Sequence, residues 1–288
     1  MVRALVLRGA GAGAVAGLVA FVLARLVAEP LIGQAIDYES SRDEASDALA
    51  AAAGQAPEAA GPDIVSRDLQ STLGLGVGVV AAGIAFGLLL ALAFALYHGR
   101  VGSVRPRSLA MLLAGAGFAT LYVVPFLKYP ANPPAIGHEN TIADRSGLYL
   151  LMVVASVALA VAAAALGRRL APRLGTWNAT VAAGLAFVVV VGALALLLPS
   201  LGELAANVAN YGPQDTETPQ ALTDPSGRIV FPGFDADLLY RFRLVSVLDQ
   251  ALLWTVLGLV FAPLAQRLVD PAPHPAAADR TPETVEVG

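Results

Sequence analysis

The sequence predicts an all-α, polytopic membrane helix bundle of about six transmembrane helices with both termini cytoplasmic, because composition, run length and charge placement agree. Of the 288 residues, 57% are hydrophobic and only 14% are charged, against roughly 25% charged in an ordinary soluble domain. Ala, Val, Leu and Gly dominate, while Trp (two) and Phe (ten) are sparse. Small side chains of this kind let helix backbones approach closely inside lipid.

Six apolar stretches are each long enough to cross a hydrocarbon core of roughly 30 Å. They run from Leu5 to Val27, Leu73 to Tyr97, Leu109 to Leu127, Leu148 to Leu166, Ala179 to Leu198 and Val245 to Phe261. The first follows Arg3 and includes Arg8, so it fits either a cleavable signal peptide or a retained helix. Its length favours retention, with Arg25 snorkelling to the interface.

Basic residues fall in alternate connections: Arg3 and Arg8, then Arg100, Arg105 and Arg107, then Arg168, Arg169 and Arg173, with Arg267 and Arg280 towards the end. The intervening connections carry the acids, from Asp37 to Asp68, then Glu139 and Asp144, then Glu203 to Asp237. The positive-inside rule places the basic set in the cytoplasm. The bundle therefore spans residues 1–269 with external loops 29–72, 128–147 and 199–244, followed by a disordered cytoplasmic tail, 270–288. Asp37 to Asp63 and Asn207 to Asp237 read as mobile external segments.

Each outward-going helix is closed by proline, at Ala28-Glu29-Pro30, Val124-Pro125-Phe126 and Leu198-Pro199, and proline is expected to stop the helix there. Arg with Ser precedes or opens each returning helix, at Arg67 and Ser71, Arg145 and Ser146, and Arg243 and Ser246. Three related hairpins or the shared demands of interfacial capping both account for that recurrence. Gly9, Gly13 and Gly17, Gly74 and Gly78, and Gly83 and Gly87 form small-residue stripes that mark helix packing faces.

Several function classes are excluded or disfavoured. The absence of cysteine rules out disulfides, thiolate metal sites and cysteine nucleophiles. No G-x-x-x-x-G-K-[ST] occurs, which removes ATP hydrolysis by this chain. His98, His138 and His274 all lie outside the apolar runs, so no enzyme activity is expected, and no basic tract points to nucleic acid.

Polar residues near the runs supply the candidate site. Pro125 to Pro134 is rich in proline and continues through Gly137-His138-Glu139 to Asp144-Arg145. A stiff turn of this kind presents Asn132, His138, Glu139 and Asp144 as oxygen and imidazole donors suited to a divalent first-row metal, or it is a prolyl hairpin with solvated polar residues. Asp249, with Gln250, is expected in the first turns of the sixth helix. It reads either as a cation or proton site or as an interfacial carboxylate paired with Arg243 or Arg241. Glu29 completes the candidate cation path, and Lys128, Arg145 and Arg243 are candidates for structural ion pairs, Lys128 with Glu29 or Glu203 or simply snorkelling.

In order, Ala28-Glu29-Pro30, Ser66-Arg67-Asp68-Leu69-Gln70-Ser71-Thr72-Leu73-Gly74, Leu127-Lys128-Tyr129-Pro130-Ala131-Asn132-Pro133-Pro134, Leu198-Pro199, Phe231-Pro232 and Tyr240-Arg241-Phe242-Arg243-Leu244-Val245-Ser246 resemble the CbtA family over most of the chain. The resemblance implies the membrane subunit of a cobalt transporter in the cytoplasmic membrane. It also implies a small single-span partner, CbtB, with a histidine-rich tail. Co²⁺ is then the transported ion and no cofactor is held permanently. The chain departs from the family at two points: Asp37 to Asp63 lacks the histidine-rich loop that some members carry after the first helix, and the sequence reads as six spans where the family is often drawn with five. A non-transporting scaffold or sensor, binding a partner through the acidic loops, is the alternative function.

Overall fold

The computed structural model describes residues 1–54, 70–102, 104–134, 136–212 and 214–270. Helices dominate it: α1 (Val2–Leu23), α2 (Glu29–Ala52), α3 (Leu75–Tyr97), α4 (Pro106–Gly117), α5 (Val124–Lys128), α6 (Ile142–Leu197), α7 (Ala205–Tyr211) and α8 (Ala236–Val269). A two-stranded antiparallel hairpin, β1 (Leu222–Thr223) and β2 (Ile229–Phe231), lies between α7 and α8. Five helical stretches are long and apolar enough to cross a membrane by length and composition. Leu127, Leu185, Val189 and Leu196 are exposed on them, as lipid-facing side chains should be. The chain is an α-helical membrane bundle.

Glycine sets the closest contact in the fold. A methyl group on Gly9 would run into the carbonyl of Gly87, and one on Gly13 into that of Gly83. One on Gly17 would lie 2.8 Å from the Val80 Cα. Steps of four up α1 thus meet matching steps down α3, so the helices are antiparallel with backbones touching, which requires residues without a Cβ. The stripe does not extend to Gly78, which faces open space, and Gly76 instead meets the Phe21 ring.

Around this pair α1, α3, α4 and α8 share one buried core, in which Phe94 and Phe261 pack edge to face at 5.7 Å. The Trp254 ring of α8 sits against Gly117 of α4, and Gly258 faces Ala114 and Met111, again an antiparallel register. At the basic end, Arg8 donates to the Leu264 carbonyl at 2.5 Å.

Two of the three prolines expected to stop helices do not. A five-residue π segment, Ala24–Ala28, carries α1 directly into α2 past Pro30. A second, Phe118–Val123, carries α4 into α5 past Pro125. The wider turn removes the clash between the proline ring and the preceding carbonyl, so the helix passes the proline without breaking. It also frees carbonyls from the ladder: Thr120 O accepts the Ser156 hydroxyl of α6, which ties α6 to the core. Only Pro199 follows a true helix end, where Leu198 is extended at φ -84°, ψ 144°.

The segment expected to be mobile from Asp37 is therefore helical as far as Ala52. Its remaining acids, Glu58, Asp63 and Asp68, lie outside the described residues, as do Arg67, Arg280, His274 and nearly all of the expected tail. The described part of the connection from Asn207 to Asp237, expected to be mobile, likewise carries a helix end and a β-hairpin. Tyr38 of α2 packs edge-on against Phe234 at 5.0 Å and donates its hydroxyl to the Pro232 carbonyl at 3.0 Å, fastening the β-hairpin to α2.

The fourth and fifth apolar runs form one helical stretch, α6, broken at Gly175, whose φ 76°, ψ 160° is non-helical. Gly167 and Ala183 would lie about 24 Å apart on a straight helix. A Cβ on Gly167 would instead be 3.4 Å from that of Ala183, so the two arms fold back on each other. The sixth run starts earlier than expected: α8 begins at Ala236, capped by Asp235, whose carboxylate accepts from the Asp237 and Leu238 amides. Asp249 is therefore about 20 Å from the start of α8, not within its first turns.

Candidate functional site

The third apolar helix supplies one wall of the candidate site. Phe118, Tyr122 and Phe126 follow at four-residue spacing, so their rings fall on one face and stack at 6.1 and 5.2 Å. Beyond Lys128 the chain leaves the helix at Tyr129, and Pro130 to Pro134 bends over the end of this wall. Between wall and loop lies a cavity of about 910 Å³ at the acidic end of the bundle. Phe86 of α3, Tyr149 of α6, and Gln250 and Trp254 of α8 close its other sides.

The prolyl loop forms the roof and is fastened on two sides. Arg243 of α8 donates to the Ala131 carbonyl at 3.1 Å and to Asn132 Oδ1 at 2.8 Å. Lys128 Nζ donates to the Leu198 carbonyl at 2.7 Å, and the Tyr129 hydroxyl to the Pro199 carbonyl at 3.0 Å. Prolines at 130, 133 and 134 lack backbone donors, so these side-chain bonds hold the loop in place of a backbone ladder.

A buried carboxylate anchors the neighbouring turn. Glu217, 1% exposed, accepts from Arg145 at 2.9 Å, from Asn207 Nδ2 at 2.9 Å and from the Thr141 hydroxyl. A burial of this kind is tolerated because every contact is charge-assisted or polar. Gly137, with φ 137°, makes room for it, since a Cβ there would strike the Arg145 guanidinium. Arg145 also lines the cavity, so this hub connects the 201–217 connection to the cavity rim.

Glu203 lies beside the roof. Its carboxylate accepts the Ser200 amide at 2.7 Å, and that bond first, with Lys128 contributing less, holds its carboxyl below the usual carboxylate range. In the hairpin turn, the Ser226 hydroxyl and then the Arg228 amide lower Asp224 in the same way. Burial raises the Tyr129 hydroxyl above the ordinary tyrosine value.

Two residues that line the cavity carry a buried polar atom without a hydrogen-bond partner, Tyr122 Oη and Trp254 Nε1, and Asp249 Oδ1 of α8 likewise has none. Tyr122 lies within electrostatic reach of both Tyr149 and Asp249. Buried groups of this kind carry a desolvation cost unless something meets them.

The sequence candidates are distributed around this arrangement. Asn132 lines the cavity, with its oxygen taken by Arg243. His138 accepts the Asn140 amide on Nδ1 at 3.2 Å. Glu139 opens a short 3₁₀ turn, Glu139–Thr141, and Asp144 is exposed in the first turn of α6. Glu29 is buried at the start of α2. Among the described residues no group of three or more His, Asp or Glu is placed to hold a metal. Of the expected ion pairs, Arg145 has one, with Glu217. Arg243 holds the loop, and Lys128 holds a carbonyl with its ammonium 5.7 Å from the Tyr129 ring centre.

Sequence reasoning passed over Glu217, Tyr122 and Trp254. The four-residue spacing of Phe118, Tyr122 and Phe126 was a legible signal for the aromatic wall. Nothing local distinguishes Glu217 from the other acids of its connection.

The profile of the family described as "Probable cobalt transporter subunit (CbtA)" matches residues 2–266. No curated protein and no solved structure matches the chain.

Proposed function

We propose, since this chain belongs to the CbtA family, that it is the membrane-embedded subunit of a cobalt uptake transporter passing Co²⁺ inward across the cytoplasmic membrane. The observation that carries the reading is the family match over nearly the whole chain. The roofed cavity, lined by four helical stretches that each have the length of a membrane span, is the part of the fold suited to hold cargo.

In this reading the two arms of α6 are separate crossings, which gives six spans and two cytoplasmic termini. Arg100, Arg105, Arg107, Arg168 and Arg169 then face the cytoplasm, in keeping with the positive-inside rule. The acids of α2 and of the 199–237 connection lie outside, where their field concentrates cations near the roof. Asp249 marks the path beneath the cavity, with Glu29 and the prolyl loop as flanking polar stations. The word subunit in the family description supports a complex, and a small single-span CbtB-like chain is the proposed partner.

Uptake of radiolabelled cobalt by proteoliposomes, with and without such a partner, tests this. Accumulation that requires this chain supports transport. Cellular cobalt uptake that survives its loss would instead favour a scaffold or sensor role.

A further inference from the structure

We propose that a groove on the lipid side of the bundle, between α5 and the second arm of α6, holds an acyl chain of one anionic phospholipid whose phosphate rests on Lys128. The proposal goes beyond the transport reading, since no residue that lines this groove lines the roofed cavity. Shape is the first observation. The groove encloses about 560 Å³ between Leu127 and Lys128 of α5, Met152 of the first arm of α6, and Phe187, Gly192 and Leu196 of the second. Leu127 and Leu196 are exposed, so the groove opens sideways to lipid. A Cβ on Gly192 would meet nothing within 4 Å, so that part of the lining is bare.

Height is the second observation. From Phe187 to Leu196 the second arm rises about 14 Å. One leaflet supplies half of a hydrocarbon core roughly 30 Å thick, so the groove has the height of a single leaflet. That suits an acyl chain, which enters from one side of the membrane. A partner helix crossing the bilayer would need a continuous face about twice as tall.

Charge is the third. Lys128 is the only lysine in the sequence, and it is the one charged residue among the described lining residues of the groove. Its bond to the Leu198 carbonyl fixes the ammonium at the level where the second arm ends, the acidic end of the bundle. An ammonium has three donors, so two remain after that bond. Glu203, an acid within electrostatic reach, spends its carboxylate on the Ser200 amide. A phosphodiester oxygen meets the remaining donors with a charge-assisted bond. No acid lines the groove to receive the cationic group of a zwitterionic headgroup, which selects an anionic lipid.

Native mass spectrometry of the detergent-purified protein, titrated with dioleoyl phosphatidylglycerol or dioleoyl phosphatidylcholine, tests this. The first phosphatidylglycerol is expected to bind about fivefold more tightly than the first phosphatidylcholine. Lys128→Gln should erase that preference and Lys128→Arg should keep it. Gly192→Leu, at an open position, fills the groove and should weaken the first binding of both lipids severalfold. A readout on the parent protein needs no variant: because Lys128 is the single lysine, lysine acetylation reports this position alone. A few equivalents of phosphatidylglycerol in detergent should slow it severalfold, and phosphatidylcholine should not. Equal affinity for the two headgroups, a preference that survives Lys128→Gln, binding indifferent to Gly192→Leu, or acetylation indifferent to phosphatidylglycerol would each overturn the proposal. So would displacement of the bound lipid by a single-span partner chain, or a dimer that Gly192→Leu dissolves, either of which assigns the groove to a protein.

Discussion

Glu217 shows how one side chain can hold an entire connection in place. Its carboxylate gathers Arg145, Asn207 and Thr141 from separate parts of the chain. Glu217→Ala leaves those donors unmet, and a loss on the order of 2 kcal/mol is expected in an SDS-unfolding titration in mixed micelles. Glu203 makes a prediction in pH. Its carboxyl is held below its ordinary value, so the bond to the Ser200 amide is fully present above about pH 4.3, the unfolded value. It is lost as pH falls through the lowered folded value. Hydrogen exchange at the Ser200 amide should accelerate over that acidic window, and Glu203→Gln should abolish the pH dependence while leaving exchange at the Asp237 amide, capped by Asp235, unchanged. Residues of this kind were the least legible in the sequence. The role of Glu217 depends on contacts up to 76 positions away, and Asp249 was misplaced because Arg241 and Arg243 make the first turns of α8 look like loop.

At the scale of elements, the α1–α3 pair depends on missing side chains. Gly13→Leu drives a side chain into the Gly83 backbone and should destabilise the bundle by at least about 1–3 kcal/mol, the usual overpacking cost. Gly78→Leu, at an open position, should melt close to the parent, and both are read by thermal unfolding in detergent. The glycine stripe was legible because four-residue spacing of small residues has a direct geometric meaning. The helix continuations past Pro30 and Pro125 were not. Single-residue rules treat proline as a stop, whereas a π turn just before it absorbs the lost hydrogen bond over several residues. The same turns explain why α2 is helical where composition alone suggested a mobile acidic loop.

At the scale of the molecule, all six apolar runs read from hydropathy are helical in the fold, and the two joined in α6 are separated at Gly175. The cavity was not readable, because it is built from four helical stretches and a loop whose relative placement hydropathy does not encode. Topology follows from the proposed six spans: a reporter fused after His98 should be cytoplasmic and one fused after Pro225 external. The central claim is that this bundle conducts cobalt, and its most direct test is radiolabelled cobalt uptake into proteoliposomes holding the purified chain with its small partner. Accumulation above that of protein-free vesicles is expected, falling severalfold in Asp249→Asn. Uptake equal to that of protein-free vesicles would contradict it.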